Sequence, residues 1–175
     1  MHQPRKLSSK IKSLNELKPV VEELKRQGTQ VVFTNGCFDI IHSGHVKLLQ
    51  EAREAGGVLI VGLNSDSSVK ALKGPARPIV SQEQRAQVVA ALEAVDYVVI
   101  FYELDPLQMI EALVPSVLIK GGDWTPETII GRDVVEQAGG KVFAIPLKDG
   151  ASSTDIVLRI QERLQYTPVL PAGDL

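Results

Sequence analysis

The sequence predicts an α/β protein built on a single doubly wound, parallel, five-stranded sheet. Five short apolar runs recur along the chain, and segments with helical spacing or helix-capping residues lie between them. The runs are continuously apolar rather than alternating, which is typical of strands covered on both faces. In such a sheet, ligands bind outside the carboxyl ends of the strands, so the loops that follow the strands should carry the chemistry.

The predicted strands cover residues 31–33, 58–63, 97–101, 117–119 and 142–145. A helix is predicted over 14–27, where apolar residues recur at helical spacing. Residues 81–84 have the form of a capping box, and Asp105 and Thr125 are each followed by a proline suited to a first helical turn. A last helix is predicted from Ser152 to about residue 164.

The length of 175 residues suits one domain. We expect a flexible N-terminal segment (1–13), one domain (14–165) and a flexible C-terminal tail (166–175). A net charge of −2 does not indicate a nucleic-acid or membrane-surface protein, and no apolar run reaches the ~18 residues of a membrane span. Cys37 is the single cysteine and no secretory signal is evident, which fits a cytoplasmic location.

The densest motif follows the first strand, at residues 34–45 (TNGCFDIIHSGH). A strand, a glycine turn and a helix start place backbone N–H groups at a helix N-terminus, which attracts anions and phosphate in particular. Gly36 and Gly44 would let the backbone approach a phosphate closely. The motif therefore predicts a phosphate site at this loop.

His42 and His45 are three residues apart and would share one face of a helix. Both imidazoles could donate to phosphate oxygens and strengthen that interaction as charge builds in a transition state. Three other interpretations stay open. The pair could bind a metal, although it lacks the His-Glu-x-x-His spacing of zinc proteases. It could be a purely structural helix start, or Cys37 could be a nucleophile, although buried cysteines are usually inert.

Residues 34–45 resemble the T-x-G-x-F-D…H-x-G-H signature of the cytidylyltransferase-like nucleotidyltransferase superfamily, and residues 150–156 resemble its second signature, G-x-S-S/T-T-x-I. The segments between them (61–66, 72–74, 77–79, 84–85, 94–96 and 120–124) are similar to one branch, the adenylyltransferases of ADP-heptose synthesis. The resemblance covers about residues 14–164. It implies a Rossmann-like fold of the HxGH type. It also implies transfer of AMP from ATP to D-glycero-β-D-manno-heptose 1-phosphate, with release of pyrophosphate, for lipopolysaccharide core synthesis.

The resemblance also implies roles for individual residues. The expected catalytic residues are His42, His45 and Lys73, with Lys73 in the loop after a short helix. The expected nucleotide-binding residues are Thr34, Asn35, Gly36, Phe38, Asp39, Gly44, Lys120, Gly121, Asp123, Ser152, Ser153 and Thr154. The expected substrate-binding residues are Asn64, Asp66, Arg77 and Arg85. Purely structural roles stay open for several of these residues: helix capping for Asn64, Asp66 and the serines, a turn for Asp123, a salt bridge for Arg85 and plain surface for Lys73.

Two departures from the family pattern bear on the substrate. Ser153 stands where threonine is common but keeps the hydroxyl group. Leu147 stands where cytidylyltransferases often carry an arginine, which favours ATP over CTP. We expect no protein metal ligands, and Mg²⁺ as a cofactor carried mainly by the nucleotide phosphates, because the motif loops contain no carboxylate cluster.

The expected partners are ATP and a sugar 1-phosphate, with neither nucleic acid nor membrane. We also expect a homo-oligomer, with a dimer favoured, and a separate kinase in the pathway. Glycerol-3-phosphate cytidylyltransferase activity, or adenylyl transfer to another phosphate, stays open. A nicotinamide-dependent oxidoreductase is disfavoured because no G-x-G-x-x-G follows a strand. A regulatory nucleotide-binding domain would need neither both histidines nor the serine motif.

Overall fold

The computed structural model describes residues 6–122, 124–146 and 152–165, and for Gln165 the backbone alone. These residues form an all-parallel, five-stranded sheet with the strand order β3-β2-β1-β4-β5. The strands are β1 (Val31–Gly36), β2 (Val58–Asn64), β3 (Tyr97–Phe101), β4 (Val117–Gly121) and β5 (Lys141–Ile145). The predicted fold class and all five predicted strands are confirmed.

The helices are α1 (Leu7–Lys10), α2 (Leu14–Arg26), α3 (Ser43–Glu54), α4 (Asp66–Lys73), α5 (Gln82–Ala91), α6 (Leu107–Leu113), α7 (Arg132–Gln137) and α8 (Ser153–Gln165). A single 3₁₀ turn covers Pro126–Thr128. None of the helices within the described ranges combines the length and the apolar character that crossing a bilayer requires.

Two apolar cores lie on the two faces of the sheet, which explains why its strands are continuously apolar. Leu49 of α3 and Val89 of α5 pack on one face, and both side chains are fully buried. Leu17 of α2, Ile110 of α6 and Val135 of α7 pack on the other face and are equally buried. Successive strand residues alternate between these two cores, so most residues of the inner strands are apolar.

Two predicted helix starts differ from the structure. Ser81 is the N-cap of α5, but its side chain makes no capping hydrogen bond, so the predicted capping box does not form. Thr125 caps only the 3₁₀ turn, and α7 begins six residues after Pro126 because Gly131 first takes a left-handed conformation (φ +86°). A Cβ atom at Gly131 would lie 2.6 Å from Ile110 Cδ1, so the chain turns tightly against α6 at this point.

The segment before residue 14, which the sequence predicts to be flexible, contacts the domain in the structure. Its residues 7–10 form α1, and Ile11 makes an isolated parallel bridge with Val98 of β3. The Lys10 ammonium donates to the carbonyl oxygen of Val95 at 2.6 Å. The domain boundary predicted at residue 14 therefore leaves out residues that contact the sheet.

The strand order places the candidate site. The chain leaves β1 toward β2 on one side and reaches β4 on the other, so the connections diverge between β1 and β4. A crevice outside the carboxyl ends of the strands opens at such a switch point. The loop after β1 and the end of β4 both lie at this crevice, and they carry the 34–45 motif and Lys120 respectively.

Candidate active site

The loop between β1 and α3 has a strained, tightly packed backbone. Phe38 has a φ of +46°, in a left-handed region that bulky residues rarely adopt. Its buried ring covers Gly36, where a Cβ atom would lie 3.1 Å from Phe38 Cε2. The same ring lies 5.1 Å, centroid to centroid, from the imidazole of His45. Gly36 therefore makes room for the ring that forms one wall of the histidine site.

Asp39 ties this loop to the segment between α4 and α5. Its Oδ1 accepts hydrogen bonds from the backbone N–H groups of Ile79 at 2.8 Å and Val80 at 2.9 Å. Its Oδ2 accepts from Arg77 Nε at 2.5 Å, and the Asp39 side chain is fully buried. These contacts make Asp39 a brace for the loop, with its charge balanced by Arg77 rather than by a ligand.

Arg85 of α5 is a fully buried arginine inside the frame of the site. Its Nε donates to the Val80 carbonyl at 2.9 Å, its Nη1 to the Cys37 carbonyl, and its Nη2 to Asp66 Oδ1 at 2.7 Å. The side chain has no exposed surface. The sequence predicts substrate contact for Arg85 and Asp66, whereas in the structure their charged groups bind each other. The structure therefore assigns Arg85 to the frame of the loop.

His42 and His45 form a stacked pair at the start of α3. His42 is the N-cap, and the two imidazole centroids lie 3.9 Å apart with an interplanar angle of 29°. Burial lowers the pKa of His45 to about 4, and the nearby positive charges of His42 and Lys73 act in the same direction. Burial also lowers the pKa of His42. Both rings are therefore neutral at pH 7 in this structure.

Three buried side-chain atoms in the motif have no hydrogen-bond partner. Across the part of the chain that the structure describes, the buried side-chain nitrogen and oxygen atoms without a partner are Thr34 Oγ1, His42 Nδ1 and His45 Nδ1. Leaving such a group unpaired costs about 1–3 kcal/mol, so native proteins rarely keep one without a reason. All three belong to the 34–45 motif.

Lys120, at the end of β4, reaches across the switch point to β1. Its ammonium donates to the backbone carbonyl of Asn35 at 3.2 Å and to Asn35 Oδ1 at 3.0 Å. It also lies 5.7 Å from the centroid of the Trp124 ring. Burial lowers the pKa of Lys120 to about 8, against an opposing effect of Cys37. The pair of Lys120 and Asn35 thus forms a polar floor between the two strands.

A cavity of about 450 Å³ opens above this floor and is called the switch-point cavity below. The predicted residues that line it are Asn35, Gly36, Phe38, His45, Asn64, Lys73, Lys120 and Gly121. Seven apolar or aromatic residues that were not predicted also line it: Leu48, Leu72, Leu104, Pro106, Trp124, Ile129 and Ile130. Leu72, Leu104, Trp124 and Ile130 are 44–61% exposed, which is unusual for such side chains and fits a binding wall.

Cys37 also lines the switch-point cavity and is partly exposed. The sequence predicts a buried and inert thiol at this position, and the partial exposure contradicts that expectation. The residue follows β1 directly, but the backbone turn at Phe38 brings it to the crevice rather than into a core.

Other predicted residues take structural roles or lie beside the cavity. Lys73 is the last residue of α4 rather than a loop residue, and its exposed side chain borders the cavity. Asn64 is buried, and its amide donates to Ser68 Oγ at 2.9 Å. Gly44 lies in the first turn of α3, and Asp123 and Leu147 lie outside the described residues.

The second motif forms the start of α8. The Ser152 hydroxyl caps this helix by accepting from the backbone N–H of Asp155 at 3.0 Å. Ser153 is nearly buried and accepts from Arg77 Nη2 at 3.2 Å, whereas Thr154 is exposed. Because Arg77 also binds Asp39 of the first motif, it connects the two motifs.

Among the described residues, no three His, Cys, Asp or Glu side chains come together as a set of metal ligands. A larger open groove of about 960 Å³ lies between α1, α3 and α5 and contains none of the predicted site residues. Residues of the 34–45 motif line the switch-point cavity, so that cavity is the candidate active site.

Comparison with known proteins decides the family. The family model described as cytidylyltransferase-like matches residues 33–159, which include both motifs. The chain belongs to the cytidylyltransferase-like family. This result confirms the resemblance based on the two motifs, and it makes the chain a nucleotidyltransferase.

Curated relatives match this nucleotidyltransferase closely but are much longer. The bifunctional protein HldE of Syntrophotalea carbinolica is 51% identical over 164 residues, which make up 94% of this chain and 34% of that protein. HldE of Geobacter metallireducens is 53% identical over 152 residues, or 87% of this chain and 31% of that protein. The chain thus spans about a third of the length of the curated relatives that it matches.

Two solved structures share the fold of this nucleotidyltransferase. The lipopolysaccharide core biosynthesis protein from Thermoplasma volcanium has a TM-score of 0.57 and 23% identity, over 71% of this chain and 100% of that chain. Pantoate-β-alanine ligase from Francisella tularensis has a TM-score of 0.58 and 17% identity, over 90% of this chain and 79% of that chain. At these identities the likeness supports the fold alone.

We predict that Arg85→Met lowers the free energy of unfolding by about 3 kcal/mol or more, because the Cys37 and Val80 carbonyls lose a buried charged donor. Urea denaturation measures the change. Arg53→Met is the matched control, since the exposed Arg53 pairs with the half-buried Asp96 at the long distance of 3.6 Å and should contribute less than about 1 kcal/mol. An Arg85→Met protein as stable as the wild type would show that the buried guanidinium does not hold the loop.

We predict that acid destabilises the nucleotide-free protein partly through His45. Its pKa is about 4 when folded against an ordinary value of 6.5, so the unfolded chain takes up the proton first as the pH falls. The stabilising effect of the neutral ring is complete above pH 6.5 and is lost between pH 6.5 and about 4. Denaturation midpoints across this range should fall less steeply for His45→Asn than for the wild type. Identical pH dependence in both proteins would contradict the desolvated, neutral His45.

Proposed function

We propose that this chain transfers AMP from ATP to D-glycero-β-D-manno-heptose 1-phosphate, releasing pyrophosphate and forming ADP-heptose for lipopolysaccharide core synthesis. The observation that carries the proposal is the set of unpaired buried atoms on Thr34, His42 and His45, of which His45 lines the cavity at the switch point of the sheet. A phosphate chain offers many acceptor oxygens, which is what two imidazoles at a helix N-terminus and a hydroxyl in the preceding strand require.

The electrostatics of the site fit a polyphosphate ligand. The two imidazoles are stacked 3.9 Å apart. If both became positively charged imidazolium rings, they would repel each other unless an anion lay against them. The phosphates of a nucleotide would favour the protonated rings, and Lys73 adds a positive charge at the same cavity. The positive end of the α3 helix acts in the same direction.

The reaction needs no covalent enzyme intermediate. An oxygen of the acceptor sugar phosphate forms a bond to the α-phosphorus of ATP, the bond from that phosphorus to the oxygen bridging to the β-phosphorus breaks, and pyrophosphate leaves with its electron pair. A sugar phosphate dianion carries no proton to remove, so no general base is needed. His42, His45 and Lys73 would bind the oxygens whose negative charge increases in the transition state. Such stabilisation by preorganised donors is usually the largest single contribution to catalysis.

The choice of nucleotide and sugar rests on resemblance rather than on geometry. About half of the aligned residues are identical to those of HldE proteins, and the motif segments resemble the ADP-heptose branch. Leu147, in place of a family arginine, favours ATP over CTP. The apolar wall around Trp124 and Leu104 offers a surface for the base, and Lys120 with Asn35 offers polar groups beside it.

Mg²⁺ fits the site as an ion that the nucleotide brings. Asp39 and Asp66 already bind Arg77 and Arg85, and Asp105, which lines the cavity, accepts a hydrogen bond from the backbone N–H of Leu107. Phosphate oxygens and water would therefore supply its ligands, as is usual for this ion. When bound, Mg²⁺ supplies charge neutralisation on the phosphates.

The same proposal includes the setting of the reaction. We expect a homodimer, a kinase activity that supplies the sugar 1-phosphate, and a cytoplasmic location in which Cys37 stays reduced. Mass photometry or sedimentation of the purified chain measures the oligomeric state directly.

We predict that pyrophosphate release is fastest with ATP and heptose 1-phosphate, in a panel that crosses four nucleoside triphosphates with heptose 1-phosphate, glycerol 3-phosphate and other sugar phosphates. The reaction should require Mg²⁺, so a chelator should abolish turnover. The chelator-treated protein should retain no bound metal. Faster turnover with CTP for every acceptor would overturn the donor assignment, and a preference for glycerol 3-phosphate would overturn the acceptor assignment.

We predict that His45→Ala lowers kcat by about 10²–10³-fold while changing the Kd for ATP much less, because the ring acts mainly on charge that develops in the transition state. His45→Asn keeps an amide donor and should recover part of the rate. Single-turnover rates, ATP affinity and melting temperature are measured on one preparation. A folded His45→Ala protein with wild-type turnover would remove His45 from the chemistry.

We predict that Lys73→Ala lowers kcat/KM at least tenfold with little change in melting temperature, because Lys73 is exposed and borders the cavity. Lys70→Ala is the matched control, since Lys70 lies one turn earlier in α4, is exposed and does not line the cavity. Equal activities of the two variants would show that Lys73 is an ordinary surface residue.

A further inference from the structure

Arg77 lies in the segment between α4 and α5 and binds two other parts of the protein. Its Nε donates to Asp39 Oδ2 at 2.5 Å, and its Nη2 donates to Ser153 Oγ at 3.2 Å. Its side chain is 11% exposed. One guanidinium therefore connects the brace of the first motif with the first residue of α8.

The start of α8 depends on this contact because the rest of the helix is open to solvent. Over residues 152–164, Ser153 is the buried residue, and the others are exposed or half-buried. Leu158 and Ile160 are 49% and 48% exposed. Little apolar packing therefore holds the helix in place, so the polar contact at Ser153 has a large share in setting where its N-terminus lies.

We infer that Arg77 is a positioning residue that sets the N-terminus of α8 against the histidine motif, and that it does not bind substrate. The inference rests on the proposed function, in which both motifs contact one triphosphate. Asp39 is already fixed by two backbone N–H groups, so it orients the arginine fork, and the fork in turn orients Ser153. The distance between the two phosphate-binding helix ends follows from this chain of contacts.

The fork geometry makes the role specific to arginine. A lysine at position 77 keeps the positive charge that Asp39 needs, but one ammonium on a flexible stem does not hold two partners in fixed directions. Arg77→Lys and Ser153→Ala therefore remove the same contact, each by changing one of its two partners. Arg77→Lys leaves a lysine beside the buried Asp39, and Ser153→Ala leaves the native arginine there. These two variants avoid the unpaired carboxylate that Arg77→Ala would create.

Amide hydrogen exchange of the full chain tests the positioning role without any substrate. Arg77→Lys and Ser153→Ala should each speed exchange in peptides from the first turns of α8, and the double variant should show no further increase. Exchange in α2 should not change. Arg132→Lys is the control, because Arg132 pairs at the surface with Glu136 at 2.9 Å and should leave α8 exchange at the wild-type rate. Unchanged α8 exchange in both variants would overturn the inference.

Kinetics then separate positioning from direct contact. Displacing a binding group by about 1 Å can cost about 10²-fold, so Arg77→Lys should lower kcat/KM for ATP by up to that factor. If Arg77 acts through Ser153, the double variant should be no slower than the slower single variant within about twofold. Multiplicative losses would show that Arg77 touches substrate itself. A wild-type chain that releases no pyrophosphate would reject the proposed function, and the exchange experiment would still decide the role of Arg77.

Discussion

The buried guanidinium of Arg85 is the interaction on which the shape of the candidate site depends. It draws together the Cys37 carbonyl of the β1–α3 loop, the Val80 carbonyl and Asp66 at the start of α4. Asp39 holds the same stretch from the other side, because it accepts the N–H group of Val80 while Arg85 takes its carbonyl. Val80, whose N–H and carbonyl groups are both bound by charged side chains, cannot shift without breaking a charge-assisted hydrogen bond. The loop is therefore held in one conformation before any ligand arrives.

That rigidity explains how the Nδ1 atoms of two imidazoles can stay buried without a hydrogen-bond partner in the protein. A flexible loop would turn His42 and His45 toward solvent, where their Nδ1 atoms would bind water. The Phe38 ring contacts His45, and the two rings stay stacked and half-buried, so burial lowers the pKa of both. Buried polar atoms without a partner cost free energy, and hydrogen bonds to phosphate oxygens would remove that cost. Such an arrangement is usual in preorganised sites.

The sequence predicted the sheet well because parallel strands buried on both faces leave a direct signal in continuous apolar runs. It missed that β1 continues through Asn35 and Gly36, since their pairing with Gly62 and Leu63 depends on a neighbouring strand rather than on local hydrophobicity. The prediction that a helix starts at Thr125 was wrong for a similar reason. Its capping signal is real, but packing against Ile110 imposes the turn at Gly131.

The candidate site was predictable where one short motif contains the residues and unpredictable where distant residues meet. His42, His45 and Gly36 lie within one motif. Arg85, in contrast, meets Cys37 from 48 positions away, and Arg77 meets Ser153 from 76 positions away. A single sequence does not show which distant residues such arginines meet, so both were predicted to bind substrate, with a salt bridge left open for Arg85 alone. The apolar wall at Leu72 and Leu104 was equally hidden, because an exposed leucine has no local signature.

The most direct test of the histidine site is NMR of the imidazole rings in ¹⁵N-histidine-labelled protein, titrated over about pH 4–8 with and without α,β-methylene-ATP. The chain has three histidines, so His2, outside the motif, is an internal reference. We expect a pKa of about 4 for His45 in the free protein and a clear increase when the nucleotide binds, with His42 changing in the same direction and His2 unchanged. Signals of His42 and His45 that stay the same at saturating nucleotide would contradict the assignment of the pair to the phosphates.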